Sequence, residues 1–224
     1  MHAVILAAGR GRRLGLGLPK CLIEIGGKSL LERHLAALET AGVRSIRLVV
    51  GYERGRVAGQ PCLAAWRGAL TICVNPEFER GSSLSLAAGL EDGPSLVMDA
   101  DVVYPPEFLR RLVEASGDMA FLMDPRNCGT GEEMMLGLRR GRVVEISRTL
   151  TRARDGEGET VGFTKLSDRA ASLVRRELAT LDGDYETAFD RVLDQIDARA
   201  VKVGDLPWTE IDFEADLKRA REIA

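Results

Sequence analysis

The chain has 224 residues, 45% of them hydrophobic, and 31 Lys and Arg against 34 Asp and Glu give a formal net charge of −3. That length fits one α/β domain with a core that needs neither disulfides nor structural metal. Charges of both signs are spread along the chain rather than blocked, so no nucleic-acid-binding face is advertised, and no apolar run approaches the roughly 18 to 20 residues of a membrane span.

From the N-terminus, strand-length apolar runs alternate with segments of helical period: "AVILAA", "LLERHLAALETAG", "IRLVVG", then "LSLAAGLE", "SLVMDAD", "PEFLRRLVEAS" and "MAFLMD". This alternation predicts βαβ units. The runs "VILA", "RLVV" and "LVM" are apolar on consecutive positions, as strands covered by helices on both faces must be. The expected fold is α/β, a doubly wound, mainly parallel, Rossmann-like sheet. After about Asp124 the texture changes, because "MMLGLRRGRVVEISRTL" alternates around Arg140-Gly141 and predicts a small antiparallel hairpin, an insertion over the open edge of the sheet. "RTLTRARDGEGETVGF" reads as a loop before a last strand, while "DYETAFDRVLDQI" and "FEADLKRAREIA" read as helices. One domain over 1–224 is expected, with nucleotide binding in 1–124 and acceptor binding plus a C-terminal helix in 125–224. Cys21, Cys62, Cys73 and Cys128 form no CxxC pair, and "MHAVILAAG" lacks the features of a signal peptide, so a cytoplasmic setting is expected.

The loop "GRGRRLGLGLPK" follows the first strand, and a glycine-rich turn there gathers backbone N–H groups into an anion site. A dinucleotide fingerprint is excluded, since Leu14 stands where the third glycine belongs. A Walker loop is excluded because Cys21, not Ser or Thr, follows Lys20. Arg10, Arg12, Arg13 and Lys20 would repel one another around so tight a turn unless a polyanion offset them.

"LAAGRGRRLGLGLPK" resembles the signature of the sugar-phosphate-type nucleotidyltransferases, and within them the chain is similar to the phosphocholine and phosphonate cytidylyltransferase-like branch. "VMDADVV" and "WTEIDFEADLKRA" fit the same pattern. The resemblance implies that the backbone of Ala7, Ala8 and Gly9 contacts the base, that Gly11, Arg12 and Arg13 hold the β and γ phosphates, and that Lys20 neutralises charge at the α phosphate; Leu6 is a further nucleotide-binding candidate. Lys20 and Arg13 are the catalytic candidates. The physical reading agrees, because nucleotidyl transfer asks a protein mostly to position and neutralise a triphosphate.

Asp99 and Asp101 end a strand at the carboxyl edge, where a doubly wound sheet places its ligands. Magnesium wants one or two carboxylates plus substrate phosphates, and the resemblance favours Asp101 with Asp212. Asp99 is grouped with the nucleotide-binding residues, as a supporting carboxylate or a cap of the turn. Ser82, Ser83 and Ser85 in "GSSLSLAAGL" are candidates for reading a pyrimidine, although an ordinary helix start has the same composition. Relatives tend to carry Asn where Ser82 stands, and this stretch is closer to the molybdopterin nucleotidyltransferases.

An acceptor that already carries a phosphate or phosphonate needs no general base, and His2 and His34 are read as structural, His34 as partly buried. Glu132, Glu133, Lys165, Tyr185 and Glu186 are the acceptor-binding candidates. Asp124 and Asp184 are further acids, Phe163, Phe189 and Trp208 further walls, and Arg148 with Lys165 would take the acceptor's phosphate. The expected activity is a magnesium-dependent transfer of CMP from CTP to a small phosphorylated alcohol or phosphonate, with a homodimer left open. The rivals are a uridylyl or guanylyl transferase on a sugar phosphate, a molybdopterin nucleotidyltransferase and a non-catalytic nucleotide sensor.

Overall fold

The computed structural model describes residues 1–126, 131 and 133–223. Strand β1 (His2–Ala7) leads through two single 3-10 turns, Arg12–Leu14 and Lys20–Leu22, and a small hairpin, β2 (Glu24–Ile25) and β3 (Lys28–Ser29), into helix α1 (Leu30–Thr40). There follow β4 (Ser45–Val50), α2 (Arg54–Ala58), α3 (Pro61–Ala64), β5 (Ala69–Val74), α4 (Ser82–Gly89), β6 (Ser95–Asp99), β7 (Val102–Val103), α5 (Glu107–Glu114) and β8 (Met119–Asp124). The rest of the chain supplies β9 (Met135–Arg139), β10 (Arg142–Ser147), β11 (Gly156–Leu166), α6 (Asp168–Leu178), α7 (Glu186–Val192), β12 (Ala198–Lys202), β13 (Thr209–Glu210) and α8 (Glu214–Ile223).

The main sheet runs β10-β9-β11-β6-β1-β4-β5, with β8 paired to β11 and β12 to β8. Its first half is the expected doubly wound unit, with β6, β1, β4 and β5 all parallel. The consecutive apolar positions separate onto opposite faces: Ile5, Leu48 and Met98 pack in one core with Phe108 and Phe163, and Val4, Val49 and Val97 pack in another with Phe121 and Phe189. Each fully buried side chain of this size contributes about 1.5–3 kcal/mol.

The hairpin around Arg140-Gly141 is β9–β10, and it joins the main sheet through β11. Here the structure corrects the reading of "GEGETVGF" as loop. Gly156–Leu166 is a strand of 11 residues, because β8, β9 and β6 all supply it with backbone partners. A bulge between Thr160 and Thr164 contains Gly162 at φ +80°. Nor is β11 the last strand, since β12 pairs parallel to β8 and β13 pairs with β7.

Helix α1 begins with a capping box, in which Ser29 Oγ accepts from Glu32 N at 3.2 Å and Glu32 Oε2 accepts from Ser29 N at 2.7 Å. Such a cap stabilises by about 1 kcal/mol and sets the apolar face of Leu31, His34, Leu35 and Leu38 against the sheet. His34 is fully rather than partly buried, with Nδ1 3.0 Å from Tyr104 Oη. Among the described residues no helix is long and apolar enough to cross a membrane.

Candidate active site

A cleft of about 970 Å³ opens along the carboxyl ends of β1 and β6, at the upper end of the roughly 300–1,000 Å³ usual for small-molecule sites. Leu6, Ala8 and Gly9 line it from the end of β1. The Ala7 side chain does not, since it packs in the core with Ile5 and Val50, as the period of two requires.

Beyond Gly9 the chain turns on Gly11 at φ +62°. A Cβ at Gly11 would lie 2.9 Å from Lys20 Cγ, so the glycine is what lets the lysine stem pass. Acids from distant segments of the chain meet the cations of this loop. Glu79 pairs with Arg12 and lies 3.9 Å from Arg10, while Arg13 Nη2 lies 2.9 Å from Asp212 Oδ1. Arg13 and Lys20 line the cleft, whereas Gly11 and Arg12 stand outside its lining.

The short antiparallel pair β7–β13 brings the two acidic motifs together. Glu210 faces Val102 in register, and Ile211 N donates to Asp101 O at 2.9 Å. One carboxylate oxygen each of Asp101, Glu210 and Asp212 then lies within 4.8 Å of the others. Ligands on an octahedral ion at 2.1 Å stand about 3 to 4.2 Å apart, so this hard-oxygen set fits magnesium with small adjustments. Lys20 Nζ bridges two of the three, 2.7 Å from Asp101 Oδ2 and 2.5 Å from Asp212 Oδ1. Burial opposes the lysine's charge, but Asp101 and Asp212 outweigh it and hold its pKa above the usual value. Desolvation, with Asp101 and Asp212 adding to it, pushes Glu210 up to about 8. The Asp212 side chain does not cap α8: Asp216 Oδ2 accepts from the amides of Asp212 and Phe213 instead, at 3.1 and 2.8 Å.

Asp99 lies behind this trio. Its Oδ2 accepts from Tyr185 Oη at 2.9 Å, and burial, reinforced by Asp101, Glu186 and Glu210, pushes its pKa well up. Ser82 and Ser85 line the cleft, with Ser82 Oγ accepting from Tyr185 N at 3.0 Å and Ser85 Oγ from Asn75 Nδ2 at 2.9 Å. Ser83 does not reach it. That hydroxyl is buried and donates to Leu181 O at 3.0 Å, because the helical turn of α4 points it at the neighbouring segment.

At the far end, Glu133, Arg148, Tyr185, Glu186 and Trp208 line the cleft, joined by Asp124, Arg126 and Glu159. Trp208 Nε1 and both arms of the Arg126 guanidinium are bound to Asp124 at 2.9–3.0 Å. Burial and the nearby Asp184 push Glu186 up to about 7. Lys165 is not part of this end: its ammonium donates to the carbonyls of Val113 and Ala115, at 2.8 and 2.6 Å, and closes the end of α5. Phe163 and Phe189 are core residues at 0% exposure, not walls. Glu132 lies outside the described residues.

Residues 3–163 match the MobA-like NTP transferase domain, well over half of the chain. The chain belongs to the MobA-like NTP transferase family. Among relatives of this family member is the bifunctional IPC transferase and DIPP synthase of Rubrobacter xylanophilus, 32% identical over 99% of this chain and 51% of the relative. The chain thus spans about half the length of that enzyme. It is 25% identical to the CTP:phosphoglutamine cytidylyltransferase of Campylobacter jejuni over 97% of this chain and 98% of that one. The inositol-1-phosphate CTP transferase from T. maritima shares the fold, with a TM-score of 0.80 at 22% identity, over 99% of this chain and 95% of that one.

Within this family fold, sequence reasoning passed over Glu210, Arg126 and Glu159 as cleft residues. A signal for the first was present, since Glu210 and Asp212 are two apart in "TEID" and a strand's period places them on one side. Arg126 and Glu159 carried no signal of that kind, because they reach the cleft through the pairing of β11 with β8.

Proposed function

We propose that this chain is a magnesium-dependent cytidylyltransferase that moves CMP from CTP to a small phosphorylated alcohol or phosphonate and releases pyrophosphate. The observation that carries the reading is the meeting, at one end of a two-ended cleft, of the glycine loop, two cations from it and three carboxylates from β6–β7 and β13. Relatives described as using CTP support the choice of nucleotide.

In this reading the Ala8–Gly9 backbone, Ser82 and Ser85 enclose the base, and the triphosphate lies along the loop toward Lys20. An oxygen of the acceptor's phosphate or phosphonate forms a bond to the α phosphorus as the bond from that phosphorus to the bridging oxygen breaks. The leaving pyrophosphate gains negative charge, which Arg13 and Lys20 are placed to offset, Arg through a planar fork and Lys as a point charge. Asp101, Glu210 and Asp212 would hold magnesium, which when bound neutralises phosphate oxygens and fixes their orientation. No proton has to be removed from an acceptor oxygen that is ionised at neutral pH. His34 agrees with this, because it is fully buried, and desolvation pushes its pKa down to about 4.

The test is pyrophosphate release with magnesium and each nucleoside triphosphate over a panel of phosphorylated and phosphonate acceptors. Release with CTP is expected. Release confined to UTP or GTP would overturn the nucleotide assignment, and CTP binding with no release from any acceptor would favour a sensor.

A further inference from the structure

The far end of the cleft has the wrong sign for an anionic acceptor. Its two guanidiniums are already engaged, Arg126 by Asp124 and Arg148 by Asp184 at 2.5 Å. Glu133, Glu159 and Glu186 line the same end, so among the described residues carboxylates exceed guanidiniums there by three. An acceptor with a phosphate or phosphonate would be repelled unless that group points toward Lys20 and Arg13 and its other end carries positive charge.

Glu186 is the residue placed to meet such a charge. It opens α7, it lines the cleft, and no ion pair reaches it among the described residues, because the nearby Arg148 is turned to Asp184. A half-buried cleft carboxyl raised toward neutrality by desolvation and a neighbouring acid gains from a cation that restores its ionised form.

The kind of cation follows from the walls. A quaternary ammonium has no N–H to donate and relies on aromatic faces, but Tyr185 is 3% exposed, its hydroxyl is tied to Asp99 and its ring packs against Phe189. Trp208 alone among the rings at this end is more open, and its indole N–H is held by Asp124. A primary ammonium has three donors to give to carboxylates, which are what this end offers.

We propose that the acceptor carries a primary ammonium at the end opposite its phosphoryl or phosphonyl group, and that Glu186 is the residue that selects it. The inference rests on the cytidylyltransferase reading. Steady-state kinetics with CTP and magnesium would compare 2-aminoethylphosphonate and phosphoethanolamine with 2-hydroxyethylphosphonate, phosphocholine and inositol phosphate. The amines should be preferred by at least about tenfold in kcat/KM, the expected scale for a charged hydrogen bond. Glu186→Gln should raise KM for the amine roughly 10- to 100-fold while KM for CTP stays as it was, and Glu186→Asp should keep the preference for an amine. Turnover that favours the hydroxyl, trimethyl or inositol acceptor would overturn the inference and leave the cytidylyltransferase standing. Absence of turnover with CTP for every acceptor would overturn both.

Discussion

Lys20 Nζ lies 2.5 Å from Asp212 Oδ1, joining two residues 192 positions apart in the chain, and the same nitrogen lies 2.7 Å from Asp101 Oδ2. The ammonium therefore stands where a divalent ion would use the same oxygens, so the two cations are expected to compete. Lys20→Met should bind Mn²⁺ in the absence of nucleotide about tenfold more tightly than the parent, measured by calorimetry, since a charged partner of this kind is worth about 1.5–3 kcal/mol. Its kcat should fall roughly 10²- to 10³-fold, as when a donor to transition-state charge is removed. Unchanged or weaker Mn²⁺ binding would show that lysine and metal do not share the oxygens.

Asp101 and Glu210 are separable by titration with magnesium. Asp101→Ala should abolish turnover and leave the thermal unfolding cooperative. Glu210→Gln should retain activity at saturating magnesium but require several-fold more of it. Near-normal turnover in the Asp101 variant would remove the metal assignment.

Gly11→Ala tests the loop through backbone geometry. The new methyl would sit 2.9 Å from Lys20 Cγ at a φ of +62°, displacing the lysine stem and adding about 1 kcal/mol of strain. Turnover should drop more than tenfold while the melting temperature falls only roughly 2–4 °C, the shift that about 1 kcal/mol produces in a protein of this size.

Tyr185→Phe removes the buried hydroxyl that donates to Asp99. A lost partner of a buried polar group costs about 1–3 kcal/mol, visible as a lower midpoint in urea. Asp99→Asn in the same background should add little further cost, because the pair is counted once in a double-mutant cycle.

His34 makes stability depend on acid. Its pKa is pushed down from 6.5 to about 4 by burial, so its contribution is fully present above pH 6.5. As pH falls from 6.5 toward 4, the unfolded chain takes up a proton that the folded chain refuses, and stability is lost by up to about 3 kcal/mol. Urea unfolding at pH 7 and pH 4.5 should show the decline, and imidazole resonances should show His34 neutral at pH 5. A normal titration near 6.5 would contradict its burial.

The parallel half of the fold was legible because each of its strands is buried on both faces, which leaves the consecutive apolar runs "VILA" and "LVM" in the chain. By contrast "GEGETV" looks like a loop by composition and becomes a strand only because β8 and β9 stand ready to pair with it. Ser83 and Lys165 show the same limit on the site: their chemistry suits a ligand, but neighbouring carbonyls take up their donors.

The sequence alone determined the glycine loop, the spacing from Gly9 to Lys20 and the presence of "DAD" and "EID", since these depend on backbone freedom and residue type within a few positions. Tertiary structure decided which oxygens converge. The β7–β13 pairing sets Glu210 and Asp212 beside Asp101, the bulge at Gly162 makes room for Asp99, whose Oδ2 would clash with a Cβ there, and α7 turns Glu186 into the cleft. Such contacts join segments far apart in the chain, and no local pattern records them, because the energy that fixes them comes from packing and pairing across the whole sheet.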